Sequence, residues 1–183
     1  YSSLRHFLYA GAPMSVEKLK EAMDVFGPVM CQSFGQAETL INLTYFSAEE
    51  HIEAIKTGNE RRLWSCGRSS LTNQVEIMDE EGNLLGVDEN GEIVVRSGMV
   101  MKEYYKNTQA TAEARAHGWH HTGDIGCKDE DGFIYIVDRK KDMIITGGFN
   151  VYPSEIEQLV MTIPEVQDCA VIGVPDEKWG EAV

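Results

Sequence analysis

The chain has 183 residues, of which 43% are apolar and 25% charged, with only five prolines; this is the balance of a packed globular domain, not of a disordered, collagenous or coiled-coil chain. Sixteen Lys and Arg stand against 30 Asp and Glu, a formal net charge of −14, which repels phosphate backbones and anionic lipid and argues against nucleic acid or a membrane surface as the main partner. Apolar runs are a few residues long, far short of the ~20 that span a bilayer. Four cysteines, Cys31, Cys66, Cys127 and Cys169, form no C-x-x-C pair for zinc or redox work and read as reduced thiols of a cytoplasmic protein.

In chain order, Leu4–Ala10 reads as a buried strand, Gly11-Ala12-Pro13 as a turn and Ser15 as a helix N-cap. Val16, Leu19, Ala22, Met23 and Phe26 recur at helical spacing until Gly27-Pro28, and Val29-Met30-Cys31 is the next strand. Strand, helix and strand make an α/β unit whose carboxyl edge carries Gln32–Glu38, the kind of edge where ligands bind in open α/β sheets. Ser47-Ala48-Glu49-Glu50 is a capping box for a helix that closes at Gly58. From about Trp64 short strands alternate with Asx/Gly turns through Val75–Met78, Asp79–Asn83, Asp88–Gly91 and Glu92–Val95, the pattern of a small antiparallel sheet or barrel.

A helix is expected over Thr108–His117, and Phe133–Val137, apolar on both faces, should be buried. The charge run Asp138–Asp142 marks a boundary. Beyond it come a strand Met143–Ile145, the turn Thr146-Gly147-Gly148, a helix started by Pro153 with Ile156, Leu159, Val160 and Ile163 on one face, and a last strand Ala170–Val174. The chain opens inside a strand-like segment and stops without a polar tail, so it reads as a piece of a longer protein.

Several catalytic templates are absent: G-x-x-x-x-G-K-[ST], G-x-G-x-x-G, H-E-x-x-H and G-x-S-x-G. Asp129-Glu130-Asp131-Gly132 has the look of a calcium loop, but Cys127 takes the first ligand position and a strand follows, so a hairpin turn is the better reading. His120 and His121, adjacent on a strand, face opposite ways and lack a third metal ligand. Three polar clusters fall at expected turns: Gln32–Glu38, Thr122-Gly123-Asp124 and Thr146–Asn150. Each alone is compatible with a simple turn.

Taken in order, these segments resemble the adenylate-forming superfamily of acyl-CoA synthetases, adenylation domains and luciferases. Ala10-Gly11-Ala12-Pro13 is similar to its G-G-A-P turn, Phe34-Gly35-Gln36-Ala37-Glu38 to Y-G-x-T-E, and Gly91-Glu92-Ile93 with Met101-Lys102-Glu103-Tyr104-Tyr105 to its barrel motif. Gly118–Asp124 matches G-W-x-x-T-G-D, and Asp138–Glu157 follows D-R-x-K-D-x-I-x-x-G-G-x-N-V-x-P-x-E-I-E nearly throughout. The resemblance covers the whole chain, from about residue 4 to residue 183.

It implies a mixed α/β fold: residues 1–63 as the end of the α/β layer of the large domain, 64–138 as a β-barrel-like subdomain, and 139–183 as the start of a small α+β C-terminal domain. It also implies a two-step reaction in which a small carboxylic acid and ATP give acyl-AMP, and coenzyme A then takes the acyl group. Glu38 would hold Mg²⁺, Asp124 the ribose hydroxyls, and Arg139 the ribose and phosphate side. Gly11, Ala12 and Pro13 would line the adenine, with Gly35 beside them and Phe34 as a stacking face in place of tyrosine. Lys141 falls at the family's hinge, and Gly147 and Gly148 would let the pantetheine thiol pass. Ser33, Phe34 and Leu40–Leu43 would border the acid.

Ala37 replaces a threonine whose hydroxyl touches phosphate, a loss of about 1–3 kcal/mol for one hydrogen bond to a charged group. The family's phosphate loop and catalytic lysine would lie before residue 1 and after residue 183. An acyl- or aryl-CoA synthetase is the leading reading, with a carrier-protein-loading adenylation domain or a non-catalytic nucleotide-binding module as alternatives.

Overall fold

The structure, a computed structural model, describes residues 1–12, 14–40 and 42–183; Pro13, expected on the adenine side, and Ile41, expected near the acid, lie outside the described residues. The architecture is mixed α/β, with three four-stranded sheets succeeding one another along the chain.

The first sheet combines β1 (Phe7–Ala10), α1 (Val16–Phe26), β2 (Met30–Phe34), β3 (Thr44–Phe46), α2 (Ala48–Thr57), α3 (Glu60–Leu63) and β4 (Arg68–Ser69). β1 runs parallel to β2, and β3 and β4 add antiparallel. Local chemistry sets the helix ends: the Ser15 side chain accepts the Lys18 N–H, and both halves of the Ser47/Glu50 capping box are made. Tyr9, Leu19, Met30, Phe46, Ala54 and Leu63 close the core with Phe133. The buried strand expected over Leu4–Ala10 is shorter and largely exposed: only Tyr9 is buried, Leu8 faces out, and Phe7, on the Tyr9 face, keeps 37% exposure with its ring 5.0 Å from that of Phe26. β1 pairs on one side only, and α1 covers one face, so the two-residue period leaves the other face open.

The second sheet is β5 (Asn73–Met78), β6 (Gly91–Ser97), β7 (His120–Lys128) and β8 (Ile134–Arg139), antiparallel in chain order, with α4 (Thr108–Glu113) in the β6–β7 connection. Among the described residues no ladder joins β8 back to β5. Val75, Ile77, Ile93, Val95 and Ile134 pack with Leu43 and Cys66. The helix expected to reach His117 stops at Glu113. The Ala114 and Ala116 carbonyls instead accept from the backbone and ring of His121, and His117 turns left-handed. Phe133 and Ile134 are fully buried, whereas Tyr135, Ile136 and Val137 are only partly covered. The Asp129 carboxylate accepts the N–H groups of Asp131 and Phe133, as a hairpin turn requires.

The third sheet is built from β9 (Ile144–Thr146), β10 (Phe149–Val151), β11 (Val174–Asp176) and β12 (Gly180–Ala182), in the order β10-β9-β12-β11, with α5 (Pro153–Val160) between β10 and β11. The strand expected at Ala170–Val174 is displaced to Val174–Asp176. Ahead of it the Glu157 side chain takes the Val171 N–H, which is then not available to a ladder. The helix begun by Pro153 ends at Val160 and passes into turns up to Ile163.

The first two sheets meet at Cys66-Gly67. The Cys66 N–H donates to the Ile134 carbonyl and the Ile134 N–H to the Gly67 carbonyl, at 2.8 and 2.9 Å. Phe133 lies beneath, with Arg62 and Arg68 over its ring at 4.1 and 4.9 Å. Gly67 has φ +89°, and a Cβ there would sit 2.3 Å from the Tyr45 carbonyl oxygen. Gly67→Ala therefore combines left-handed strain with a backbone clash and should lower stability in urea unfolding by at least about 2 kcal/mol. Gly132→Ala, also at positive φ but with open space around it, should cost only the conformational part, and equal losses would show that the junction is loose.

Candidate functional site

The centre of the site is a mismatch between two strands. On β6 and β7, Glu92 faces Ile125 and Val94 faces His121, so Ile93 alone opposes Thr122, Gly123 and Asp124. The extra residues bulge, with Gly123 at φ +73°, and bulges of this kind re-aim side chains beside functional sites. Thr122-Gly123-Asp124, expected at a turn, thus lies inside a strand. Thr122 Oγ1 donates to the Ile93 carbonyl and accepts the Asp124 N–H.

Asp124 pairs in register with Arg139 on β8, and Arg139 Nε donates to Asp124 Oδ1 at 2.8 Å, with the carboxylate side chain 6% exposed and the arginine 59%. Burial pushes the Asp124 carboxyl above its ordinary range, and the Arg139 charge opposes that rise. One end of the pair is dry and the other reaches solvent. The arrangement suits neutral hydroxyls on the carboxylate and anionic oxygens on the guanidinium.

A second carboxylate stands behind this pair. Glu92, buried on β6, accepts the Gly123 N–H at 3.0 Å on Oε1, and receives Lys140 Nζ and His121 Nδ1, each at 2.9 Å, on Oε2. Burial pushes its carboxyl up, but the His121 and Lys140 hydrogen bonds outweigh burial and hold it below the ordinary range.

Glu38 sits in a 3₁₀ turn, Ala37–Thr39, just past β2. Tyr104 donates its hydroxyl to Glu38 Oε1 at 2.7 Å, and the Met101 N–H donates to the Glu38 carbonyl at 2.7 Å. The Tyr104 hydrogen bond is the main reason the Glu38 carboxyl lies below its ordinary range, with His120 and Arg139 adding smaller attractions. In the same turn the Gln36 amide donates to His120 Nε2 at 2.9 Å, and burial lowers the pKa of His120. His120 and His121 do face opposite ways, one to Gln36 and the other to Glu92. Among the described residues no three His, Cys, Asp or Glu cluster to form a metal cage. A hard cation at Glu38 would therefore take oxygen from this one ionised carboxylate and from its bound anion, as Mg²⁺ commonly does.

Other expected residues are more dispersed. Phe34 ends β2, partly buried against the second core, and Gly35 follows it. Gly11 and Ala12 lie in an exposed turn after β1. Lys141 lies in the 3₁₀ turn Lys140–Asp142 between β8 and β9. Gly147 and Gly148 lie between β9 and β10, and the approach to Gly147 is filled: a Cβ would meet the Trp179 ring at 2.7 Å, whereas Gly148 is open. Tyr104, His120, Glu92 and Lys140 carry contacts that sequence reasoning left without a role. Their signal was present only as motif membership, because their partners lie far away in the chain.

The chain matches the AMP-binding enzyme family over residues 1–105 and the AMP-binding enzyme C-terminal domain over residues 155–183. It belongs to the AMP-binding enzyme family. Among curated relatives of this chain, the medium/long-chain-fatty-acid–CoA ligase FadD8 of Mycobacterium tuberculosis is 43% identical over 182 residues, all of this chain and 31% of that protein. A 2-succinylbenzoate–CoA ligase of Bacillus licheniformis is 37% identical over 98% of this chain and 35% of its own length. The chain thus spans about a third of the curated relatives it matches. Among solved structures, the amide bond synthetase McbA of Marinactinospora thermotolerans superposes with TM-score 0.85 at 35% identity, over 99% of this chain and 35% of that one. The o-succinylbenzoate CoA synthetase of Bacillus subtilis, in complex with its acyl-adenylate intermediate, gives 0.82 at 33% identity, over 97% and 34%. The fold of the chain is that of the adenylate-forming enzymes, and no helix among its described residues is long and apolar enough to cross a membrane.

Tyr104→Phe should raise the Glu38 pKa toward its ordinary value, read by carboxyl NMR titration. Because the folded pKa is depressed, the stability Tyr104 adds through Glu38 should be complete above the unfolded pKa and disappear as pH falls through the folded one. An unmoved Glu38 titration would show that the hydrogen bond does not form in solution.

Proposed function

We propose that the whole protein is an AMP-forming acid–thiol ligase and that this chain supplies the nucleotide-binding side of its active centre and the start of its mobile C-terminal domain. A carboxylate oxygen of the acid attacks the α-phosphorus of ATP, the bond to pyrophosphate breaks, and acyl-AMP forms. The thiolate of coenzyme A then attacks the acyl carbon and AMP leaves. The observation that carries this reading is the buried Asp124 carboxylate in ion pair with a half-exposed Arg139, beside an ionised Glu38. The names of the relatives, CoA ligases of fatty and aromatic acids, support coenzyme A as acceptor, and FadD8 favours a fatty acid as substrate.

In this reading Asp124 accepts from the ribose hydroxyls, and Arg139 binds the ribose and phosphate side. Gly11 and Ala12 line the adenine, and Phe34 and Gly35 border it. Glu38 would hold Mg²⁺, which when bound neutralises phosphate charge; Tyr104 keeps that carboxylate ionised and oriented. Residues 1–63, 64–138 and 139–183 form three units, and Lys141 is the hinge on which the last one turns between half-reactions. Gly148, with nothing near its Cβ position, is the better placed of the two glycines for a thiol to pass, and Gly147 is held by Trp179. We place the reaction in the cytoplasm, where thiols stay reduced.

In the full-length protein, Asp124→Ala should lower kcat/KM for acyl-AMP formation about 10- to 100-fold, measured by pyrophosphate exchange. Near-normal exchange would sink the assignment. Lys141→Pro fixes φ at the hinge and should spare acyl-AMP formation while thioester formation collapses. Equal loss of both steps would place Lys141 in the nucleotide site or the fold instead.

A further inference from the structure

The Asp124–Arg139 pair is fixed from outside through one side chain. Glu92 Oε1 holds the Gly123 N–H, one residue before Asp124, and Oε2 holds Lys140 Nζ, one residue after Arg139. The strand bulge explains why it must: with Ile93 alone facing Thr122–Asp124, the Gly123 N–H is served by the Glu92 side chain. His121 Nδ1 adds a third contact to the same carboxylate, and its Nε2 faces the Ala116 carbonyl at 3.1 Å, so the ring is gripped at both ends. Two carboxylates, Glu92 and Asp124, are thereby held close behind two cations, Lys140 and Arg139.

We propose that Glu92 is a positioning residue for nucleotide binding, which sets the Asp124–Arg139 pair through Gly123 on one arm and Lys140 on the other. This rests on the nucleotide-site reading given above. Two features separate it from a role in stability alone. Its donors Gly123 and Lys140 each adjoin a member of the pair. Lys140 is also 44% exposed, against 8% for Glu92, so water can solvate the ammonium when the bridge is cut and the fold survives while the aim of Arg139 is lost. Because Lys140 immediately precedes Lys141, the same bridge anchors the stationary side of the hinge to the second sheet.

The test uses the full-length protein with ATP as the probe and pyrophosphate exchange as the readout, beside thermal unfolding. Glu92→Gln keeps an acceptor for Gly123 but turns an amide N–H toward Lys140 and His121. KM for ATP should rise about tenfold, with KM for the acid unchanged and the unfolding temperature close to wild type. Lys140→Met should act in the same direction, Lys140→Arg should restore binding, and the double variant Glu92→Gln/Lys140→Met should be no worse than Glu92→Gln alone, as expected for partners in one contact. An unchanged ATP KM in both single variants, with Asp124→Ala defective, would overturn the proposal and leave Glu92 a structural residue. Should Glu92→Gln fail to fold, Lys140→Met decides alone. Normal exchange in Asp124→Ala would remove the nucleotide reading and this proposal with it.

Discussion

A carboxylate taken out of water must find compensation nearby, and the burial of Asp124 imposes that demand on everything around it. Desolvation drives the carboxyl toward its neutral form, and the Arg139 guanidinium, delivered by an in-register cross-strand pair, offsets the drive. That pairing needs β7 and β8 to be adjacent, which in turn needs the hairpin turn held by Asp129. It also needs a bulge to present Asp124, and the bulge needs Glu92 to take up the Gly123 N–H. The second sheet, its turns and its second carboxylate can be understood as the conditions for one ion pair with a dry end and a wet end.

The first and third sheets supply what surrounds that pair. The first brings Glu38 to the carboxyl edge of β2, in a turn capped by Gln36 and Thr39. Tyr104, from the loop after β6, then fixes the carboxylate from the other side. The third sheet begins at Ile144, three residues after Lys141, and the Ser154 N–H donates to Asp138 Oδ2 at 2.9 Å. The Ser154 hydroxyl also donates to the Val137 carbonyl, so the start of α5 is tied to the end of β8 on the far side of the charge run.

Elements whose causes are local were legible. Ser15, the Ser47/Glu50 box and Gly58 mark helix ends because the hydrogen bonds that make those ends are formed within a few residues. Where the cause is distant, the pattern misleads. Leu8 looks like core, but among the described residues it is 60% exposed on an open face of β1. Ala170–Val174 looks like a strand, but Glu157 claims the Val171 N–H. Among the candidate site residues, Glu38, Asp124 and Arg139 could be picked out by motif, while the contacts that surround them could not. The contacts from Tyr104 to Glu38 and from Lys140 to Glu92 span 66 and 48 residues, and no short-range periodicity encodes them.

The bulge also limits how this segment can change over evolutionary time. Side chains along β7 alternate in facing, so its length and its composition are separate constraints. Exchanging one side chain in Thr122–Asp124 alters one contact. Deleting or inserting a single residue there would rotate the strand beyond it by half a turn, bringing Ile125 and Cys127 to the face where Gly126 now packs, on which a Cβ already meets the Tyr135 carbonyl oxygen at 2.4 Å and the Ile93 side chain at 2.9 Å. Variation in the segment is therefore confined to substitution, and drift in its length is closed off by the core rather than by the ligand.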